Sequence, residues 1–425
     1  MISEALQLFS LSSYLLDFVF YYPLFMAYLW MIGGIYYYFH WERKEGRAVD
    51  DPPELEDAPF VSILIPCFNE EDNVRETVHW AHAQEYPDFE VIAINDGSSD
   101  RTGEILEELR ATHERLRVIH HGSNQGKAVG LRMGALAAKG EVLVCIDGDA
   151  LLDPHATTWI ARHFVEGPRV GAVTGNPRIR TRSTLLGKVQ VGEFSAIIGL
   201  IKRTQRIYGR VFTVSGVVTG IRKAALHRIG YWSTDMVTED IDVSWALQRD
   251  HWDVRYEPRA LCWILMPETV KGLWSQRLRW AQGGVEVLVK YGSSLLNWRR
   301  RRMWGVLLEH SLSLIWSYLM MATIVLWALG FFVVLPESVR VVSLLPEWYG
   351  VLLGFTCLLQ FAVSLAIDGR YEGGLGRYYY WMVWYPIAFW MINMLTTVVA
   401  VPKALLRRRG RRAVWVSPDR GLKPT

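Results

Sequence analysis

The chain has 425 residues, 51% of them hydrophobic, and a formal net charge of only +3. This length allows a large catalytic domain together with a membrane region, whereas so small a net charge gives no reason to expect nucleic acid as a partner. The cysteines (Cys67, Cys145, Cys262 and Cys357) show no CxxC spacing. This argues against a zinc site or a disulfide framework and fits a reducing compartment.

Four apolar segments without charged residues are each long enough to cross a bilayer, since about 20 apolar residues suffice. They cover residues 18–39, 311–335, 348–367 and 378–401. Trp and Tyr lie near their ends, as interfacial anchors do, so we predict a multi-pass membrane protein. A further short crossing over 5–17 stays open because Asp17 and three serines interrupt it. A signal peptide is rejected, because no basic segment precedes the apolar stretch and no clear cleavage site follows.

Clusters of arginine lie beside these segments, at 299–302 and within 407–412. Such clusters are typical of the cytoplasmic side and of contact with anionic lipid. If the soluble domain is cytoplasmic, three crossings after it would put the 407–412 cluster outside, against this rule. Either one late segment is re-entrant, since Pro386 interrupts the last one, or the rule is broken here.

The middle of the chain reads as a soluble α/β domain. Short apolar runs at 61–66, 90–96, 116–121 and 141–147 predict strands, and helix-like segments at 71–84, 102–113 and 126–138 alternate with them. This alternation predicts a mostly parallel sheet with helices on both faces. We divide the chain into a membrane region (1–41), a linker (42–59), the α/β domain (60–266), amphipathic interfacial helices (267–304), membrane helices (305–406) and a basic tail (407–425).

Polar motifs follow three of these strands, namely PCFNE, NDGSSD and DGDALLD. Each alone could be a turn, but ligands of parallel sheets bind at the carboxyl ends of the strands, so the three predict one site. Asp147 and Asp149 suit Mg²⁺ or Mn²⁺ bridged to a diphosphate. Asp96 is placed to accept from a base or ribose. The candidate nucleoside and phosphate contacts are Pro66, Asn69, Glu70 and Lys127.

The segment VTEDIDVSWAL opens a predicted helix. An ionised Asp240 within reach of a hydroxyl would be a suitable general base. The alternative is ordinary helix capping, in which Thr238 caps the helix and the helix dipole favours Glu239 and Asp240.

A helix that starts near Glu268 has one apolar stripe, made by Trp274, Leu278, Ala281, Val285 and Leu288. At about 100° per residue, Gln276, Arg279 and Trp280 fall on the opposite side. We expect these three to face the catalytic domain, with Trp280 offering a stacking surface for a sugar and Arg279 a cation for a leaving phosphate.

Together, Asp96, Asp147–Gly–Asp149, Thr238–Glu239–Asp240 and the QRLRW of 276–280 resemble the processive inverting family-2 glycosyltransferases. That group includes cellulose, hyaluronan and chitin synthases, which join a GT-A domain to membrane helices. Longer stretches, at 173–216 and 256–269 and in the terminal WVSPDRG, are similar to the bacterial poly-β-1,6-N-acetyl-D-glucosamine synthases of biofilms.

This resemblance implies a donor, UDP-N-acetylglucosamine, and an acceptor, the 6-hydroxyl at the end of the growing polysaccharide. It assigns the uridine to Asp96, the metal and diphosphate to Asp147 and Asp149, and the base to Asp240, with Glu239 and Asp149 also catalytic. Gln276, Arg279 and Trp280 would hold acceptor and diphosphate. The membrane helices would form the exit conduit.

The same resemblance implies location in the bacterial inner membrane with a cytoplasmic catalytic domain. It also implies a small membrane accessory subunit, with cyclic di-GMP as a regulator at the subunit interface. The segment VSGVVTG at 214–220 departs from the Cys-containing form of cellulose synthases, so acceptor contacts there are not carried over.

Three other hypotheses remain: a synthase of another polymer, an enzyme that puts one sugar on a lipid phosphate, and a membrane sensor or transporter that binds nucleotides without chemistry. The lipid enzymes usually lack QxxRW. Asp240 argues against the sensor or transporter, because binding alone would not need an acid there.

Overall fold

The structure, a computed structural model, describes residues 11–344, 347–407, 410, 412 and 413. The WVSPDRG segment and residues 5–10 of the short crossing lie outside the described residues.

The strands are β1 Val61–Cys67, β2 Phe89–Asn95, β3 Leu116–His120, β4 Val142–Ile146, β5 Leu151–Leu152, β6 Val170–Ile179, β7 Val218–Arg222 and β8 Asp253–Ile264. The helices of the catalytic region are α2 Val74–His82, α3 Thr102–Thr112, α4 Lys127–Ala137, α5 Ala156–Glu166, α6 Leu185–Phe194, α7 Lys202–Ile207, α8 Lys223–Arg228, α9 Glu239–Arg249 and α10 Val270–Leu295. The long apolar helices are α1 Leu11–Tyr37, α11 Trp304–Leu329, α12 Glu347–Asp368 and α13 Tyr385–Leu406.

One sheet forms the catalytic domain, in the strand order β3-β2-β1-β4-β7-β6-β8-β5. The four predicted strands and the three predicted helices between them are confirmed. The first four strands are parallel, as are β6 and β8, whereas β7 runs antiparallel to both of its neighbours. All residues of β1, β2 and β4 are buried. Strands covered on both faces need apolar side chains on both, which explains their continuous rather than alternating apolar runs.

Four helices are long and apolar enough to span a membrane, at Tyr14–Glu45, Trp298–Leu329, Trp348–Asp368 and Ala388–Leu406. The last predicted segment, 378–401, is corrected in its extent. Its first part belongs to a 3₁₀ helix, Leu375–Trp384, and α13 starts only at Tyr385. Pro386 occupies the first turn of α13, where a missing N–H costs nothing, so it starts this helix rather than interrupting it.

An interfacial helix connects the catalytic domain to the membrane helices. It runs from α6 through a π-helical turn, Ser195–Ile201, into α7, and it packs on α1 and α12. Long π-helical segments are rare and occur mostly at functional sites. No helix was predicted over 185–207 from the sequence.

A buried ion-pair network holds these parts together. The Arg203 guanidinium on α7 is 0% exposed and lies 2.7 Å from Glu42 Oε1 and 2.9 Å from Asp368 Oδ1. Arg178 of β6 lies 3.0 Å from the other oxygen of Asp368. A Cβ on Gly199 would come within 2.8 Å of the Arg203 guanidinium, so only glycine leaves room for it. Glu42 ends the π-helical turn Tyr38–Glu42 that directly continues α1. The network therefore links this extension of α1 with α7, α12 and the sheet.

Removing one member should destabilise the protein strongly. Asp368→Ala would leave Arg178 and Arg203 without a shared carboxylate, and breaking a buried pair on one side costs about 3–5 kcal/mol. We expect that loss in the free energy of unfolding, measured by denaturant titration in detergent. As a control, Glu108→Ala removes the exposed Arg75–Glu108 pair and should cost less than about 1 kcal/mol. Equal losses in the two variants would contradict the role of the network.

Both ends of α13 contact the catalytic region. At its start, the Tyr385 hydroxyl donates to Glu193 Oε1 of α6 at 3.5 Å. At its end, Arg407 lies 2.9 Å from Glu286 of α10, and Arg412 donates to Gln125 Oε1 at 2.6 Å. Between these ends α13 packs along α10. Of the two explanations for the basic cluster, the re-entrant one is therefore the one that the contacts support: Arg407 and Arg412 lie on the same side as the catalytic domain.

Cysteine labelling can check this arrangement, since the four native cysteines are buried. In intact cells, Arg412→Cys and a catalytic-domain marker, Glu104→Cys, should react with a membrane-impermeant maleimide only after permeabilisation. Val334→Cys, at a side chain 97% exposed beyond α11, should react without permeabilisation. Labelling of Arg412→Cys and Val334→Cys from the same side would contradict the arrangement.

Candidate active site

A cavity of about 310 Å³ opens where the strand ends meet α10 and the helix that runs from α6 to α7. The predicted residues that line it are Glu70, Lys127, Asp147, Asp149, Glu239, Asp240, Gln276, Arg279 and Trp280. They come from β1 and β4 loops and from the starts of α4, α9 and α10. Motifs that are far apart in the sequence thus meet in one cavity.

Pro66, Asn69 and Asp96 do not line this cavity. Asp96 is 0% exposed, and its carboxylate accepts from the backbone amides of Gln125 at 2.9 Å and Gly126 at 2.8 Å. It also lies 2.8 Å from His121 Nδ1. In this structure Asp96 therefore fastens the loop after β3 to the end of β2, and its contact with uridine stays a prediction.

Asn69 and Pro66 shape the loops beside the cavity. Asn69 has a positive φ of 56°, and its side-chain oxygen accepts from the Ser99 amide at 2.9 Å. It thereby joins the loops that follow β1 and β2. A Cβ at Gly148 would lie 3.2 Å from Pro66 O and 3.0 Å from Glu70 Cγ. The glycine between the two aspartates therefore allows β1 and its loop to pack closely against the β4 loop.

Lys127 is the centre of the charged groups. Its ammonium lies 2.6 Å from Asp147 Oδ1 and 3.0 Å from Glu239 Oε1, and it donates to Gly216 O at 3.1 Å. Burial alone would lower the pKa of Lys127, but Asp147 and Glu239 outweigh it and the pKa is raised. A lysine of the protein thus supplies part of the positive charge that the crowded carboxylates need.

The carboxylates around Lys127 differ in their pKa values. Burial, then the charge of Asp147, raises the pKa of Asp149 to about 7. Burial, then the charge of Glu239, raises the pKa of Asp240 to about 6. For Glu239 burial also acts upward, but Lys127 outweighs it and the pKa is lowered. Near neutral pH, Glu239 is therefore ionised and Asp240 is mostly ionised. Asp149 is present in both its protonated and its ionised form.

The two aspartates fit a divalent cation that is bound together with a substrate. Among the described residues, no group of three or more His, Cys, Asp or Glu could enclose a metal by itself. Asp147 and Asp149 line the cavity as a pair, and Mg²⁺ is usually held by one or two carboxylates plus substrate phosphates. Burial and the charge of Asp147 disfavour the ionised form of Asp149 and raise its pKa, and a bound cation would favour that form.

The QRLRW residues reach the cavity from α10. This helix is capped by Thr269, whose side chain accepts from the Gly272 amide at 3.0 Å. Arg279 is exposed at the cavity wall. Its charge contributes to the lowered pKa of Glu239 and partly opposes the rise in the pKa of Asp240. The Trp280 ring lies 6.4 Å from the ring of Phe194 on α6. As expected, Gln276, Arg279 and Trp280 face the same cavity.

Sequence reasoning missed part of the cavity wall. Lys202 and Phe194 come from the interfacial helix, and the loop 214–217 lies beside Asp240. The only signal for Lys202 was a lysine at the end of an otherwise apolar run, 196–201. Such a lysine could equally have ended a solvent-facing turn, so its burial was not predictable.

A family model for the glycosyltransferase like family 2 matches residues 58–283. The chain belongs to family 2 of the glycosyltransferases. The membership predicted from the motifs is thus confirmed, and with it the chain's class as an enzyme.

Curated relatives of this glycosyltransferase extend over nearly the whole chain. It is 39% identical to a poly-β-1,6-N-acetyl-D-glucosamine synthase of Staphylococcus epidermidis, over 96% of this chain and 99% of the relative. A synthase of the same name from Staphylococcus aureus (strain MSSA476) is 38% identical over 95% of this chain and 98% of the relative.

A solved structure supports the predicted GT-A fold. The mannosyltransferase of Pyrobaculum calidifontis, in complex with GDP-mannose and Mn²⁺, superposes with a TM-score of 0.57 at 19% identity. It covers 92% of this chain and 99% of the mannosyltransferase. At this identity the likeness concerns the fold alone.

The raised pKa of Asp149 predicts a pH-dependent metal affinity for this glycosyltransferase. Because Asp149 with a pKa of about 7 is protonated below neutrality, Mn²⁺ must compete with a proton at low pH. We expect Mn²⁺ affinity, measured calorimetrically with a UDP-sugar present, to be about tenfold weaker at pH 6 than at pH 8. Asp149→Asn should abolish this dependence, whereas Asp153→Asn, which changes a carboxylate outside the cavity, should keep it. A pH-independent affinity in the unmodified protein would contradict the assignment.

Proposed function

We propose that this glycosyltransferase transfers N-acetylglucosamine from UDP-N-acetylglucosamine to the 6-hydroxyl at the end of a growing β-1,6-linked chain. It does so processively and with inversion, and it exports the polymer for the biofilm matrix. One observation carries the proposal: Trp280, beside the acidic groups, lines both the active-site cavity and a second cavity among the membrane helices. The names of the relatives support the sugar and the linkage.

The cavity offers a residue for each step of an inverting transfer. Asp240, mostly ionised at neutral pH, accepts the proton of the acceptor hydroxyl as that oxygen attacks the sugar carbon opposite the leaving UDP. Arg279 provides a cation for the leaving diphosphate. Asp147 and Asp149 would hold Mg²⁺ or Mn²⁺, which when bound offsets the charge of the diphosphate. Glu239 keeps Lys127 in place between the two acidic motifs.

The second cavity is a candidate conduit for the polymer. Its volume is about 380 Å³, and it lies between α1, α6, α11, α12 and α13. Trp30, Trp316 and Trp390 provide apolar ring faces, while Gln360 and Asn393 provide hydrogen-bonding groups. A sugar chain presents both apolar ring faces and hydroxyl groups, so a wall of this composition suits it. A polymer made beside Trp280 would enter here directly.

The proposal extends to location and partners. Nucleotide sugars are cytoplasmic, and Arg407 and Arg412 lie on the side of the catalytic domain, as expected for a cytoplasmic face. We therefore propose a multi-pass protein of the bacterial inner membrane with a cytoplasmic catalytic domain. The small accessory subunit, and cyclic di-GMP bound at its interface, are proposed from the resemblance alone.

Asp240→Asn tests the chemistry. Loss of a general base typically costs about 10²–10⁴-fold in rate, so we expect polymer synthesis from radiolabelled UDP-N-acetylglucosamine to fall at least about 100-fold. Donor affinity should change little. Asp250→Asn, at the end of the same helix, is the matched control and should keep full activity.

The products separate the alternatives. Linkage analysis of the wild-type polymer should find β-1,6-linked N-acetylglucosamine. Another sugar or linkage would favour a synthase of another polymer, and a single sugar on a lipid phosphate would favour the lipid enzyme. Undiminished synthesis by Asp240→Asn would overturn the proposed mechanism.

A further inference from the structure

A second lysine, Lys202, lines the active-site cavity without a role in the scheme above. It is the first residue of α7, directly after the π-helical turn, and it is only 3% exposed. Its ammonium donates to Thr174 Oγ1 at 2.9 Å and lies 6.0 Å from the centre of the Tyr256 ring. The side chain is therefore held in one place by the sheet.

The charge of Lys202 is not neutralised by the protein in the way that the charge of Lys127 is. Lys127 has Asp147 and Glu239 within ion-pair distance, whereas no carboxylate in the described part of the chain forms an ion pair with Lys202. Burial lowers its pKa to about 7, and the charge of Asp240 offsets this only in part. Burial thus disfavours the charged form of Lys202, and oxygen atoms of a molecule bound beside it would favour that form.

The ammonium also has hydrogen-bonding capacity to spare. In its protonated form it carries three N–H donors, and one of them is used on Thr174. Buried donors are nearly always satisfied in proteins. Since Lys202 faces the cavity, the remaining donors can be satisfied by oxygen atoms of whatever molecule occupies it.

The position of Lys202 indicates which substrate would provide these oxygen atoms. Ile197, five residues earlier and thus one π-helical turn away, lines both the active-site cavity and the membrane cavity. Lys202 itself lines only the active-site cavity of the two, and its neighbour Ile201 lines the membrane cavity. Lys202 therefore lies close to the place where the two cavities adjoin. Lys127, in contrast, lies with Asp147 at the predicted metal and diphosphate site.

A short loop connects Lys202 to the base. Thr174 Oγ1, which accepts from Lys202, also accepts from the Ser215 amide at 2.8 Å. The next residue, Gly216, packs on Asp240 so closely that a Cβ there would lie 3.0 Å from Asp240 Oδ2. A molecule that offers a hydroxyl to Asp240 from the conduit side would therefore have Lys202 beside it.

We propose that Lys202 binds the acceptor: its remaining N–H groups donate to an oxygen of the terminal sugar while Asp240 accepts the proton of that sugar's reacting hydroxyl. This inference rests on the proposed function, because it assumes a sugar polymer that enters from the conduit. It assigns Lys202 to acceptor affinity and alignment and leaves donor binding to the other residues.

Steady-state kinetics with a soluble N-acetylglucosamine oligosaccharide as acceptor test the inference. Lys202→Met keeps most of the side-chain volume but removes the charge and the donors. Loss of a charge-assisted hydrogen bond should raise the acceptor KM at least about tenfold. The dissociation constant of UDP-N-acetylglucosamine, measured calorimetrically, should change less than about twofold. Lys202→Arg, which keeps a cation, should retain more of the acceptor affinity than Lys202→Met does.

A matched variant distinguishes binding from a merely structural role. Thr174→Val removes the hydrogen bonds from Lys202 and from Ser215 but leaves the ammonium in the cavity. If Lys202 binds the acceptor, Thr174→Val should raise the acceptor KM clearly less than Lys202→Met does. Equal effects of the two variants, an unchanged KM in Lys202→Met, or a loss confined to donor binding would each overturn the inference.

The two proposals fail in different ways in this assay. Absence of transfer from UDP-N-acetylglucosamine by the wild-type protein would reject the proposed function. Normal wild-type transfer, with an acceptor KM that does not respond to Lys202→Met, would reject only the role of Lys202. A cooperative thermal unfolding transition in detergent should show that each variant is folded, and Lys202→Arg keeps the inference testable if Lys202→Met does not fold.

Discussion

The relative placement of the catalytic domain and the membrane helices depends on the ion pairs of the buried Arg203 guanidinium. This guanidinium is bound on one side by Glu42, from the end of the first membrane helix, and on the other by Asp368, from the end of α12. Asp368 in turn holds Arg178 on the sheet. Because a buried charge that loses its partner is strongly destabilising, these elements cannot move apart independently. The sheet that carries the acidic motifs is thereby fixed relative to the membrane cavity.

The same short helix performs two tasks with adjacent residues. Arg203 is directed into the network that faces the membrane helices, while Lys202 lines the active-site cavity. Consecutive helical residues point about 100° apart, so a rigid helix end can serve both. Gly199 allows the close packing of Arg203 and Asp368. The site is thus positioned by the membrane attachment and not by the sheet alone.

The balance of charge among the carboxylates and lysines of the active site is a second constraint. It could be predicted from the sequence only in part. The crowding of Asp147 and Asp149 indicated correctly that positive charge must be near them. From the sequence we expected a divalent cation to provide that charge. In the structure Lys127 also provides it, because its ammonium lies between Asp147 and Glu239. Lys127 precedes Asp147 by only one helix and one strand, but nothing in that spacing tells which carboxylates its flexible side chain will reach.

The sequence by itself determined strands β1 to β4, the helices between them, the first three apolar segments and the convergence of the acidic motifs. Apolar periodicity is a local property, and parallel strands bring their carboxyl ends to one edge. Only the tertiary structure decided that Asp96 fastens a loop, that both ends of α13 contact the catalytic region, and that Lys202 is buried in the cavity. Each of these depends on contacts between residues distant in the chain, such as Arg407 with Glu286. The local sequence does not encode such pairings, because their energies exist only once the surrounding elements have packed.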